Sequence, residues 1–372
     1  LRDVYKRQEQ DCIGSGDGPG KLYLGDAAAG VHLTAGTALE ANRPVYVIYE
    51  AAASDDEHNL VGSLDDNRAL NSQLLRGTLG GDVSLPAGVH HVTGDVSVPE
   101  GVTLTLQPGA ELRFPSGYQI DVQGGLQILG TADNPVVLTS DRANPAHGNW
   151  WGLDIHAGAD LLIEHAVIEY ASYGVYFGPG SRGSVRNSTI RYNSYGIYAY
   201  GDRTVENNPV PVVVDSNLYA NANANYYAYY FADTDTTVLD ASGNWWGSTD
   251  PGTIAGTIHD RRDNGYSPWI DWGDLREAED GPVMPGTTGL MGTLSANTAL
   301  SAGTGYLVLG SVTVPEGLTL AIPAGVRLAF PFNDRISVDG TLAVAGSAAE
   351  PVVFTSARDN PAAQNLSLIH IS

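Results

Sequence analysis

"AVIEYASYGVYF" at residues 166–177 and "STIRYNSYGIYA" at residues 188–199 align without a gap, 22 residues apart. Ile168 falls on Ile190, Tyr170 on Tyr192, Tyr173 on Tyr195, Gly174 on Gly196, Val175 on Ile197 and Tyr176 on Tyr198. Self-similarity at this period marks a repeat architecture. The unit has no apolar spacing of 3.6 residues. It shows short β-branched and aromatic runs broken by Gly, Asn and Ser, which reads as strands and turns. A unit of this length with two or three short strands makes one coil of a parallel β-helix. Stacked coils lie about 4.8 Å apart, the inter-strand spacing of a sheet. Each coil buries its inner face only by stacking on its neighbours, and parallel crossovers favour the right-handed form. The expected fold is an all-β, right-handed parallel β-helix.

Composition narrows the function classes. The chain of 372 residues carries 45 Gly and 20 Pro dispersed among short strands, which excludes a collagen-like chain. Its net charge is −23, and Lys6 and Lys21 are its only lysines. Nucleic acid and anionic membrane surfaces need clustered Lys and Arg, so neither is an expected partner. An acidic, lysine-poor surface suits an external or saline setting. Cys12 is the single cysteine, which excludes an intrachain disulfide and a Cys-based metal site. No apolar run is long enough to span a membrane as a helix.

A second, larger repeat organises the domains. "GDVSVPEGVTLTLQPGAELRF" (94–114) returns as "GSVTVPEGLTLAIPAGVRLAF" (310–330), an offset of 216 that runs ungapped to "NPA" at 144–146 and 360–362. "GTL" at 77–79 returns at 292–294. The reading is a full β-helix domain over 76–272, a polar Pro- and Gly-containing linker over 273–291, and the truncated start of a second copy over 292–365. The first copy is expected to be complete without the second. Residues 9–75 read as a β-rich segment, the end of a preceding domain. "LRDVYKRQ" (1–8) and "LSLIHIS" (366–372) resemble translated sequencing-adapter tails, as on fragments assembled from environmental DNA, and are set aside.

The order "VTLTLQPGAELRF", "IDVQGGLQILGTADNPVVLTS", "GNWWGLDI", the Tyr-Gly coils, then "GNWWGSTDPGTIAGTIHD" and "YSPWIDW" resembles secreted bacterial β-helix proteins of the pectin-lyase-like superfamily. The likeness covers about 77–272 and 292–363. It implies an extracellular or cell-surface protein and a carbohydrate ligand. The superfamily's hydrolase run, Asn-Thr-Asp, is missing. "WIDW" (269–272) ends in Trp where a lyase motif has His. No lysine lies in the coils, and Arg182, Arg186, Arg191 and Arg203 have no acidic metal nest beside them in sequence.

Period-2 alternation separates the faces of each coil. With Ile168, Ile190, Val175 and Ile197 inward, Glu169, Arg191, Tyr176 and Tyr198 point outward. Glu169 then stacks beside Arg191. Tyr176 over Tyr198, with Tyr200, Tyr227 and Tyr229 following, makes an outer aromatic strip, either a self-stabilising ladder or a platform for sugars. Each "NWWG" (149–152 and 244–247) has one Trp for the core and one for the surface. Candidate glycan contacts are Trp151, Tyr176, Tyr198, Tyr200 and Trp246. Asn187 and Asn193 at strand ends read as turn-closing residues. Ca²⁺ could take Asp233 with Asp235, or Asp260 with Asp263 and Asn264, although neither has an EF-hand spacing. The histidines show no zinc-ligand spacing, and no cofactor is expected. Hydrolysis would need a carboxyl pair, such as Asp154 with Glu164 or Glu169. The sequence-based reading is a monomeric, non-enzymatic module presenting a rigid face for adhesion or glycan binding. A polysaccharide lyase or glycoside hydrolase, and a structural spacer, are the alternatives.

Overall fold

The computed structural model describes residues 72–115 and 117–357, preceded by the antiparallel two-residue strands Tyr23–Leu24 and Val31–His32. The adapter-like tails and almost all of 9–75 lie outside the described residues.

From residue 72 onward the chain winds into coils whose strands pair in parallel with those of the next coil. Three sheets form the walls. The first runs from Asn217–Tyr219 through Thr189–Arg191, Ala166–Glu169 and Val136–Ser140 to Ala110–Phe114. The second runs through Gln119–Val122, Trp150–Ile155, Ala171–Phe177, Tyr195–Tyr200 and Ala224–Tyr229 to Ile258–His259. Gly88–Val98 is long enough to serve both: its first half pairs with Ala110–Phe114 and its second with Gln119–Val122. The third wall runs from Val83–Leu85 through Thr103–Leu106, Gly125–Leu129, Asp160–Glu164 and Arg182–Arg186 to Val210–Val214.

The inner face is a set of apolar columns. Ile168 lies on Ile190 and Ile190 on Leu218, and Val175 lies on Ile197 and Ile197 on Tyr226. Leu106, Ile128, Ile163, Val185 and Val213 form another. All are buried. Each buried aliphatic side chain contributes about 1.5–3 kcal/mol. Alternation along a strand therefore fixes the register, because a slip of one residue would turn every column outward.

Corners are closed by left-handed residues and buried amides. Tyr170 and Tyr192 adopt φ of 64° and 54°, and their rings stack at 5.7 Å. Asn187, at φ 48°, is an exposed corner residue; Asn193 does the buried bridging. The Asn193 Oδ1 accepts from the Ala171 N–H at 2.8 Å, and its Nδ2 donates to the Ile168 and Arg191 carbonyls at 3.0 Å. Asn221 repeats the role one coil on, accepting from the Asn193 N–H at 3.0 Å and donating to the Ile190 carbonyl at 3.0 Å. A second such ladder links Ser188, Ser216 and Asn244.

The second copy repeats the pattern, with Gly305–Val314 as its long two-sheet strand. Residues 273–291, read as a linker, are packed: Leu275 is buried, and Arg276 donates to Asp215 at 2.9 Å and to the Gly243 carbonyl at 2.6 Å. The first copy, expected to be complete without the second, packs against it. Its core is continuous with Leu307, Leu309 and Ala329 of the second. Trp269 lies against Gly292 and Gly310, and a Cβ on Gly310 would run into the indole. Arg262 lies over Trp272 at 5.5 Å and Phe332 at 4.6 Å, while holding the buried Asp260 at 3.0 Å. Among the described residues no helix is long and apolar enough to cross a membrane.

Candidate functional site

The outward face of the second sheet carries one continuous column. Ser97 pairs with Asp121, Asp121 with Asp154, Asp154 with Tyr176, Tyr176 with Tyr198, Tyr198 with Tyr227, and Tyr227 with His259. The column thus changes from polar and acidic to aromatic along the axis. Its rings stack at 5.4 Å (Tyr176–Tyr198), 4.8 Å (Tyr198–Tyr227) and 4.3 Å (Tyr227–His259), all within 13° of parallel. Tyr173 and Tyr195 form a second column, stacked at 5.5 Å and set edge-on against Tyr198. Tyr200 and Tyr229 follow alongside, 6.0 Å apart and tilted by 55° rather than stacked. Stacking is favourable in itself. It also turns ring faces onto one another, so solvent meets ring edges and phenol hydroxyls. Burial pushes the Tyr176 phenol up to about 12, with help from Asp154, and raises Tyr173, Tyr198 and Tyr227. These hydroxyls remain protonated donors at any ordinary pH.

Trp151 stands beside this ladder, with centroids 5.0 Å from Tyr173 and 5.6 Å from Tyr176. Its plane is turned 51° and 58° from theirs, so it is stacked on neither ring. The bulge that places it lies between Gly152 and Leu153, where Trp150–Ile155 meets the longer strand Ala171–Phe177. Gly152 has φ 131°, and a Cβ there would strike the Tyr173 carbonyl, so this position admits only glycine.

Four of the five sequence-predicted contacts, Trp151, Tyr176, Tyr198 and Tyr200, share this face. Trp246 does not: it is 2% exposed and belongs to the core. In the first "NWWG", Trp150 is inside, stacked on Phe114 at 4.0 Å and donating its indole N–H to the Glu169 carbonyl at 2.8 Å. In the second, Trp245 bridges to Asn217 on the first sheet. The same four letters enter a different wall there, and the inside–outside parity reverses.

The carboxyl pairings also differ from expectation. Glu164 lies on the third sheet and Glu169 on the first, so neither shares a face with Asp154. Glu169 accepts from Thr139 at 2.9 Å and from its expected neighbour Arg191 at 3.1 Å, and Arg191 donates to Tyr219 at 3.1 Å. The Asp154 neighbour is Asp121. His156 Nε2 lies 2.5 Å from Asp121 Oδ1 and 3.6 Å from Asp154 Oδ2. Burial raises the Asp154 pKa, His156 lowers it and Asp121 raises it, for a net upward shift. Among the described residues, Asp121, Asp154 and His156 form the one group of three His, Cys, Asp or Glu whose ligand atoms converge. Of the acidic pairs considered for calcium, Asp235 is held by Arg261, and Asp260 is buried on Arg262. The Asp121 column was legible in "IDVQG" (120–124) set over "LDIHA" (153–157), but its 33-residue offset hides it from a 22-residue period.

Parallel coils enclosing an apolar interior and carrying an outward aromatic and acidic face define a parallel β-helix protein. The chain belongs to the pectate-lyase-like β-helix domain family, whose profile matches residues 77–202 and 292–372. Over 71 residues it is 32% identical to the Drosophila melanogaster protein named bark beetle. That match covers 19% of this chain and 2% of that protein's length. No solved structure matches the chain.

Proposed function

We propose that the protein is a non-enzymatic carbohydrate-contacting module that works outside the cell and presents its second sheet to a glycan. The observation that carries this is the aromatic strip. Trp151, Tyr173, Tyr176, Tyr195, Tyr198 and Tyr227 are fixed by strand register on one rigid wall. A rigid array loses little entropy on binding. Trp151 offers a ring for sugar stacking, and the phenol hydroxyls offer hydrogen bonds at coil spacing. The test is affinity electrophoresis and calorimetry against a panel of neutral and acidic polysaccharides. Trp151→Ala should weaken retention about fivefold or more, since an aromatic contact is worth about 1 kcal/mol or more, and Tyr198→Ala, which removes a phenol donor, should weaken it by a similar factor. Retention by no polysaccharide, or retention unchanged in both variants, would refute the reading.

Asp121 and Asp154 favour a second reading, glycoside hydrolysis. They lie one coil apart, and retaining hydrolysis uses carboxyl groups about 5–5.5 Å apart. Release of reducing ends that disappears in Asp154→Asn would establish this reading in place of simple binding.

A further inference from the structure

We propose that Asp121, Asp154 and His156 bind a divalent transition-metal ion of the Mn²⁺–Zn²⁺ series, which bridges two successive coils. The proposal does not depend on a glycan ligand. One oxygen of each carboxylate and one imidazole nitrogen lie within 4.8 Å of one another. The fold imposes this convergence. Parallel register puts Asp154 directly on Asp121, and His156, two residues further along the same face, turns its Nε2 between the two carboxylates. Donors around one such ion sit about 2.0–2.2 Å from it, hence roughly 3 Å from each other. Side-chain rotation alone can supply that adjustment, with the strands left in place.

Several other carboxylates, Glu111, Glu169, Asp215, Asp235 and the buried Asp260, each meet an arginine, and Asp141 and Asp263 each meet a single histidine. Among the described residues, Asp121 and Asp154 form ion pairs with His156 alone. Two carboxylates held one above the other favour positive charge between them, and histidine, unlike arginine or lysine, can supply it and also ligate a metal. Gln123 Nε2 donates to Asp121 Oδ2 at 3.3 Å and Ser97 Oγ to the same oxygen at 3.5 Å, which orients the carboxylate and leaves Oδ1 toward the site. The mixed set selects the class of ion. Calcium favours six to eight oxygens, whereas an imidazole nitrogen with two carboxylates suits a borderline transition metal. Asp121 and Asp154 are partly exposed and His156 is 45% exposed, so the ion can enter and keep open positions for water or a ligand hydroxyl.

The test uses the full chain stripped of metal, titrated separately with Mn²⁺, Zn²⁺, Ca²⁺ and Mg²⁺ by calorimetry and thermal melting. The expected result is one saturable site for Mn²⁺ and Zn²⁺ with a rise in Tm. His156→Gln, a partly exposed change that should leave the fold intact by circular dichroism, and Asp121→Asn should each weaken binding by about tenfold or more. The electron paramagnetic resonance signal of bound Mn²⁺ should weaken in parallel. Absence of Mn²⁺ and Zn²⁺ binding at millimolar ion, equal binding in both variants, or tighter binding of Ca²⁺ than of either metal would overturn the proposal.

Discussion

Asp271 shows how one half-buried side chain can carry a pH dependence. It pairs in register with Asp240 and lies under Gly289, where a Cβ would meet its carboxylate. Burial pushes its pKa up to about 6 from an ordinary 3.8; the Gly273 N–H opposes this, and Asp240 and Asp274 reinforce it. A carboxyl with a raised folded-state pKa holds its proton more tightly folded than unfolded. Its contribution to stability therefore grows as pH falls from above 6 toward 4, and is lost as pH rises through 6. Asp271→Asn keeps the acceptor for Gly273 and removes the charge. We expect it to stabilise the protein at pH 7.5 by about 2–3 kcal/mol, and to gain nothing at pH 4. Urea melts of both proteins at the two pH values would measure this, and equal stability at pH 7.5 would show that the carboxylate is solvated.

At the scale of the element, the buried amides matter as much as the apolar columns. Asn193→Ala strands the Ala171 N–H and the Ile168 and Arg191 carbonyls in a largely buried corner. Each buried polar group left unpaired costs about 1–3 kcal/mol. We expect a loss of about 2–4 kcal/mol in denaturant melts, against nearly none for Asn187→Gly at the exposed corner. The sequence made the strands readable, because "VTLTL" and "ELRF" alternate as half-buried strands must, and a 22-residue echo sets Ile168 on Ile190. It hid Asp121 beneath Asp154, because the intervening coil is longer and the offset grows to 33. It hid the fate of Trp246 because parity depends on which wall a strand enters, and the letters "NWWG" do not say. Asn193 and Asn187 look alike in sequence; only the corner geometry separates the bridging residue from the exposed one.

For the whole molecule, the duplication visible at an offset of 216 gives two copies whose apolar interiors touch. Trp269, Ile270 and Trp272 end the first copy at 9% exposure or less, and part of that cover comes from Gly292, Gly310 and Phe332 of the second. The glycine at 310 is required by the indole, so Gly310→Val drives a branched side chain into Trp269. We expect it to lower the Tm and to raise protease sensitivity near 273–291, with an overpacking cost of about 1–3 kcal/mol or more. Removal of residues 287–372 should expose both tryptophans and promote self-association, as seen by size-exclusion chromatography. A truncated chain that stays monomeric with an unchanged Tm would show that the contact adds nothing.

The parallel register has a mechanical corollary. Coil-to-coil hydrogen bonds run along the axis of the rod, so tension applied between its ends loads the interfaces between coils in series. Ile168 and Ile190 are 22 residues apart and Ile190 and Leu218 are 28, so each coil that peels away releases that much chain. At roughly 3.4–3.5 Å per residue this is about 75–100 Å of slack per coil. Coils still stacked keep their register while one lets go. Under tension such a rod is expected to yield in steps and to dissipate work at each one.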